Sequence, residues 1–311
     1  IRVGMAYDIG GRGDQSFNDS AAAGLDRAVT DYGVESQELE PTAGGENREE
    51  NLRLLAESGF DLNFAIGFAF AEAVTATAAD YPDTNFAIVD SVVDLPNVAS
   101  LVFAEHEGSA LVGAAAALKS QTGIIGFIGG VIIGLINKFE AGYRFGAEQI
   151  NPDIEILVQY LTEPPDFSGF GDPAKGKEAG LAMYEQGADV VYHAAGGSGG
   201  GLFEAAKEVS TASGSKVWAI GVDSDQYLTA GTEVQDYILT SMLKRVDVAV
   251  YKTITNFVES GQQSGVLVFD LSVDGVGYSN SGGFVDDIKD QLDALRDQII
   301  AGELVVPETV E

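Results

Sequence analysis

The sequence predicts an α/β protein made of two doubly wound, mainly parallel sheets, and three observations carry that expectation. Short apolar, β-rich runs alternate with helical segments, the pattern of parallel strands joined by crossover helices. Several of the runs, IGFIG, DVVYHAA and VWAIGVD, are apolar almost throughout, as strands covered on both faces require. The strand series also pauses after Phe103 and restarts at Gly123, which divides the 311 residues into two lobes near residue 104.

Taken in order, the apolar run Val3–Ala6 makes Arg2–Asp8 the first strand, and Ser16–Asp31 reads as the helix after it. A helix over Arg48–Ser58 leads to strands at Leu62–Gly67, Phe86–Asp90 and Ala99–Phe103. The helix His106–Ser120 opens the second series. Strands follow at Gly123–Ile128, Ile154–Tyr160, Val190–Ala195, Val217–Asp223 and Tyr237–Ser241, with helices at Lys138–Ile150, Ala174–Gln186 and Leu202–Ser210 between them. A helix Val246–Glu259, a strand Val266–Leu271 and a helix Val285–Ala301 come last. So much chain beyond the second series leaves room for segments that return to complete a lobe. No repeat at solenoid spacing is visible.

With 45% apolar residues the chain can bury a large core, and its 48 acids against 17 lysines and arginines give a net charge of −31. Nucleic acid, which is bound through clustered cations, is excluded as a partner, and an anionic membrane surface is disfavoured. The acids are spread through the helices and loops rather than blocked in a tail, an acidic surface that reads as salt adaptation, a halophile. There is no cysteine, so thiolate chemistry, disulfides and cysteine metal sites are all absent. The longest apolar stretch, Gly123–Ile136, is too short and too glycine-broken to span a bilayer. The chain opens on a strand without Met or a signal peptide, which reads as a mature or trimmed form.

Ligands of open α/β sheets bind beyond the carboxyl ends of the strands. GMAYD, FAIVD and AIGVD place Asp8, Asp90 and Asp223 there, either as acceptors for ligand hydroxyl and N–H groups or as turn and cap residues. After the first strand, YDIGGRGDQSFNDS sets Phe17 and Asn18 at a helix start, with Ser16 or Asp14 as the cap. Phe17 is either a core residue or a stacking face, and Phe170 in FSGFGDPAKGKE stands in a corresponding loop of the second lobe. GGRG matches neither GxGxxG nor the P-loop pattern, and Asp14 and Asp19 would repel phosphate. Gly196, Ser198 and Gly200 fit GxSxG, but both histidines, His106 and His193, precede Ser198, against the chain order of that triad. The glycines around Ser198 serve equally as a bare loop that a ligand can approach. Two isolated histidines lack metal-ligand spacing, no acid–base carboxylate pair stands out, and no cofactor is expected. Lys244, in LTSMLKRVD, follows a strand. It is placed either to pair with Asp223 or meet a ligand hydroxyl, or to sit on the surface in a first helical turn.

Taken together, these segments resemble the basic membrane protein family, the purine nucleoside receptor A-like solute-binding proteins of ABC transporters. The resemblance runs through DIGGRGDQSFNDSAAAGL, AIGFAFAEAV, FAEHEGSALVGAAAA, FEAGYRFGAEQINP, DPAKGKEAGLAMYEQGADVVYHAAGGSGGGLFEAAKE and LTSMLKRVD. It implies a type I periplasmic-binding-protein fold, two lobes closing on a ligand, with residues 1–104 and 245–270 in one and 105–244 and 271–311 in the other. It implies a non-enzymatic, extracytoplasmic receptor that passes a nucleoside, in this family purine nucleosides especially, to an ABC permease. Such a protein is a monomer tethered to the outer face of the cytoplasmic membrane by a lipid on a cysteine upstream of Ile1. By the same resemblance Phe17 and Phe170 sandwich the base and Asp90 bonds its edge. Asp8 and Asn18 line the mouth, and Gly197, Asp223 and Lys244 hold the ribose hydroxyls, with Gly67, Phe68, Ser198 and Asp225 at the margin. Two departures stand out: Gly197-Ser198-Gly199 where relatives commonly have G-x-T-G, and Phe170 where many have Trp. A nucleoside-cleaving or serine hydrolase, or a sugar-binding relative of the same fold, are the alternatives.

Overall fold

The structure is a computed structural model that describes residues 1–261 and 264–310. Gln262, Gln263 and Glu311, which the expected lobe limits include, lie outside the described residues. The chain begins with β1 (Arg2–Ala6), α1 (Phe17–Tyr32), β2 (Glu35–Leu39), α2 (Arg48–Glu57), β3 (Leu62–Ile66), α3 (Ala71–Asp80), β4 (Asn85–Val89) and β5 (Val98–Phe103). It continues through α4 (Glu105–Lys119), β6 (Ile124–Val131), α5 (Gly134–Ile150), β7 (Glu155–Thr162), α6 (Pro173–Glu185) and β8 (Val190–Ala194). Then come α7 (Gly199–Ser213), β9 (Trp218–Asp223), α8 (Gln226–Thr229) and β10 (Ile238–Lys244). The last elements are α9 (Val246–Ser260), β11 (Gly265–Phe269), β12 (Val276–Tyr278) and α10 (Lys289–Ile300).

Two compact units result, Ile1–Phe103 with Arg245–Phe269 and Ala104–Lys244 with Asp270–Glu311, so the chain passes from one to the other three times. The first unit holds one sheet, ordered β11-β5-β4-β3-β1-β2, with every pairing parallel. The second sheet is ordered β12-β10-β9-β8-β6-β7, and only β12 runs antiparallel to its neighbour. In both, the strand order reverses direction once, between β1 and β3 and between β6 and β8. Those reversals are the crevices where doubly wound sheets take ligands.

The inner strands are covered on both faces and buried, as their uninterrupted apolar runs demand: β3 and β8 are buried at all five positions. Phe60, Phe64, Phe70 and Phe86 fill the first core, and Phe127, Tyr143, Tyr192 and Phe203 the second. Helices α4 and α5 meet backbone to backbone. A Cβ built on Gly142 would lie 2.0 Å from the His106 carbonyl oxygen, and one on Gly146 would lie 1.8 Å from that of Ala110. Only glycine permits that approach, and it makes the two helices a rigid pair.

The differences from the sequence-based expectation have local causes. Strand β2, ESQEL, was not expected because it is a polar edge strand without an apolar run. Helix α3 is rich in alanine and threonine and shows only a weak apolar stripe, and β12 is three residues long. Helices α5 and α7 start at Gly134 and Gly199 rather than Lys138 and Leu202; a leading glycine carries little helical signal, and α7 opens on three in a row. Strand β10 extends to Lys244, three residues past the expected end.

Candidate functional site

In the first unit the β1–α1 loop is held by its own acids. The Asp14 carboxylate accepts from the backbone N–H groups of Ser16 (2.9 Å), Asn18 (2.9 Å) and Asp19 (3.1 Å). Asp14 is therefore the cap of α1, while Ser16, which occupies the N-cap position, makes no side-chain cap. Burial pushes the Asp14 carboxyl up, against the lowering effect of those three donors. With the N–H groups of the first turn bonded to this carboxylate, the helix start is not open to a phosphate. Arg12 turns aside to Glu38 (2.7 and 2.6 Å) and Asp26 (2.5 Å). Gly10, Gly11 and Gly13 make the required turns at φ 103°, 59° and 106°.

Asn18 is 1% exposed. Its Oδ1 accepts from the Asp8 N–H at 3.3 Å and its Nδ2 donates to Asp14 at 2.9 Å, so it braces the loop from within. Asp8 Oδ1 accepts from the Ile9 N–H (2.8 Å) and from Nε of Arg48 (3.0 Å), whose Nη2 also reaches it. Arg48, the first residue of α2, was not singled out from the sequence, because its partner lies forty residues earlier in the chain. Gly67, with φ 125°, sits across the strand reversal from Asp8; a Cβ there would lie 2.9 Å from Asp8 Oδ2. Phe68 opens the short helical turn that follows, and Phe17 is half-buried as the first residue of α1. Asp90 follows β4 with φ 68° and donates its N–H to the Leu101 carbonyl at 2.9 Å.

In the second unit the matching reversal lies beneath Phe170. Its ring rests on Gly130 of β6, where a Cβ would lie 2.6 Å from ring Cδ1. Ser198 fixes the turn that carries this ring. Its buried hydroxyl donates to the Gly169 carbonyl and accepts from the Asp172 N–H, both at 2.7 Å. Asp172 in turn caps α6 by accepting from Lys175 N–H at 3.1 Å, with Pro173 at the first helical position. The GxSxG spacing is thus a staple of the Phe170 turn and not a nucleophile elbow. Gly197, beside it, is half-buried.

His193 is fully buried, with Nε2 3.0 Å from Gln226 Oε1. That oxygen also accepts from the Val222 N–H at 2.8 Å, so Nε2 carries the proton. Burial pushes the imidazole down to about 4, and it stays neutral in ordinary buffers. Asp223 ends β9 at φ 64° and is 6% exposed. Asp225 Oδ2 accepts from the hydroxyls of Ser279 (2.8 Å) and Ser281 (2.6 Å), which ties the turn after β9 to the segment after β12.

Lys244 is the last residue of β10, one step beyond the Leu243–Asp223 register pair, and not a surface lysine on a helical turn. Its side chain is 2% exposed, its Nζ is 3.3 Å from Oε1 of the equally buried Glu105, and it stands 5.6 Å from the centre of the Phe139 ring. Glu105, at the start of α4, also escaped the sequence reading; its place within FAEHEGS was visible but its partner was not. Among the described residues no three His, Cys, Asp or Glu side chains gather as a metal site.

Each unit, taken by itself, sets an aromatic ring and carboxylate acceptors around its own strand reversal, Phe17 with Asp8 and Asp90 in the first and Phe170 with Asp223 in the second. A family model described as ABC transporter substrate-binding protein PnrA-like matches residues 1–310. The chain is 35% identical over 326 residues to the ABC transporter nucleoside-binding protein BmpA of Lactococcus lactis, covering 99% of this chain and 89% of that protein. It is 34% identical over 288 residues to an uncharacterized lipoprotein of Pyrococcus abyssi, covering 89% of this chain and 69% of that one. A crystal structure of ABC transporter solute-binding proteins from Aeropyrum pernix aligns with a TM-score of 0.85 at 31% identity, covering 99% of this chain and 94% of that chain.

Proposed function

The chain belongs to the PnrA-like family of ABC transporter substrate-binding proteins, and we propose that it captures a purine nucleoside and delivers it to a membrane permease. One observation carries the reading: each unit ends an inner strand in Val-Asp-Ser with the aspartate in the left-handed region, Asp90 at φ 68° and Asp223 at φ 64°. Asp90 accepts from the edge of the base, and Asp223 from the ribose hydroxyls together with Gly197 and Lys244. Phe17 and Phe170 stack on the base, while Asp8 and Asn18 hold the loop that presents Phe17. The name of the Lactococcus relative, nucleoside-binding at 35% identity, supports the ligand class.

Charge favours a nucleoside over a nucleotide. The lysine of the set is already paired with Glu105, and Asp8, Asp90 and Asp223 are acids, so a phosphate would meet repulsion. The protein works outside the cytoplasmic membrane as a monomer held by a lipid anchor, a placement supported by the lipoprotein description of the Pyrococcus relative. No helix among the described residues is long and apolar enough to cross a membrane.

Calorimetry in concentrated salt against inosine, guanosine, adenosine, uridine and ribose tests the proposal. Heat with the purine nucleosides and little with ribose is expected. No heat with any nucleoside overturns it, ribose binding as tightly as nucleoside makes the protein a sugar receptor, and release of free base makes it an enzyme.

A further inference from the structure

Lys244 is the last residue of the second unit before the chain leaves it, and Glu105 is the second residue after the chain first enters it. Their side chains meet at 3.3 Å with 2% of each exposed. An ammonium so buried requires a counter-charge, since its desolvation would otherwise unfold the site or neutralise the lysine. Glu105 supplies it from a favourable place, the first turn of α4, next to the helix N-terminus. The support is stiff as well. Helix α4 is locked to α5 by the contacts at Gly142 and Gly146, and α5 brings Phe139 against the same ammonium. Two residues further along, Glu107 Oε2 accepts from the Leu271 N–H at 3.0 Å, just after the third passage of the chain between units. One helical turn therefore holds both other places where the second unit joins the first.

We infer that Glu105 is a positioning residue for ligand recognition, which keeps Lys244 charged and directs its N–H donors at the hydroxyls of a bound pentose. The inference rests on the reading in which Lys244 contacts the ribose. A lysine side chain turns about four carbon–carbon bonds, and its ammonium about the carbon–nitrogen bond, so it has much rotamer freedom. Accepting one N–H direction at Glu105 fixes where the others point, so the donor geometry is set before the ligand arrives. The pair is neutral as a whole, so it selects hydroxyls rather than anions.

The test compares affinities for inosine and 2′,3′-dideoxyinosine, whose ratio reports recognition of the hydroxyls alone. The wild-type protein is expected to prefer inosine, and Glu105→Gln to cut that preference by about tenfold while dideoxyinosine binding stays within about twofold, the scale of one charged hydrogen bond. Glu105→Asp, which keeps the charge but withdraws it by one methylene, guards against a variant that fails to fold and is expected to lower the ratio as well. Glu107→Gln, which touches Leu271 and not Lys244, is expected to leave the ratio unchanged. An unchanged ratio in folded Glu105→Gln or Glu105→Asp, or an equal fall in Glu107→Gln, overturns the inference while leaving the nucleoside reading intact. If Lys244→Met keeps the wild-type ratio, the assignment of Lys244 to the ribose fails and this inference with it.

Discussion

Asp90 and Asp223 leave their strands in the same way: each follows a valine, precedes a serine, and takes a left-handed conformation, φ 68° and 64°. Aspartate and asparagine tolerate that region better than other side chains, while alanine pays for its Cβ. Asp90→Asn and Asp223→Asn therefore separate fold from function. Each variant is expected to melt within a few degrees of the wild type and to bind inosine at least about tenfold more weakly, as loss of a charged acceptor predicts. Calorimetry and thermal melting on the same samples check this; wild-type affinity in both variants rejects the site map.

Ser198→Ala removes one hydroxyl that bonds both Gly169 and Asp172. A buried carbonyl and N–H then lose their partner, at a cost of about 1–3 kcal/mol in stability, and the Phe170 turn loosens. Weaker nucleoside binding and a lower melting temperature are expected. A nucleophilic serine would behave differently, with binding kept and turnover lost.

The buried His193 gives a pH signature. Its imidazole stays neutral down to about 4, whereas the unfolded chain takes up a proton near the ordinary value of 6.5. The unfolded state binds more protons between those values, so this residue's contribution is complete above pH 6.5 and falls as the pH is lowered toward 4. The loss across the window is on the order of 3 kcal/mol. Urea unfolding at several pH values is expected to show a steeper fall for the wild type than for His193→Gln; parallel curves would falsify the assignment.

Gly146→Ala places a Cβ where the Ala110 carbonyl oxygen now lies 1.8 Å away. The helices must separate, which costs about 2 kcal/mol, the typical scale of overpacking. Gly134→Ala, at a position with nothing within 4 Å, is the control and is expected to be neutral or slightly stabilising. Denaturant midpoints distinguish the two.

Much of this molecule is legible in one dimension, because strands covered on both faces must be apolar along their length and crossover helices must alternate with them. The runs around Phe64, Ile88, Phe127 and Tyr192 could be placed for that reason, and the polar edge strand Glu35–Leu39 could not. Motif spacing placed Phe17, Phe170, Asp90 and Asp223 at strand ends and loop tips, where the topology sets ligands. It could not tell Asp14 from Ser16 as the cap of α1, since both stand at permissible spacing and only the folded loop decides which carboxylate or hydroxyl reaches the free N–H groups.

The class of fold and the family are written in the order of residues near one another in the chain, and the acidic character in its composition. Which side chains answer one another emerges only on folding: Arg48 with Asp8, Glu105 with Lys244, Ser198 with Gly169 and Asp172. These pairs span 26 to 139 residues of chain. Burial makes a partner obligatory for such groups, but a local pattern does not say which distant element will supply it.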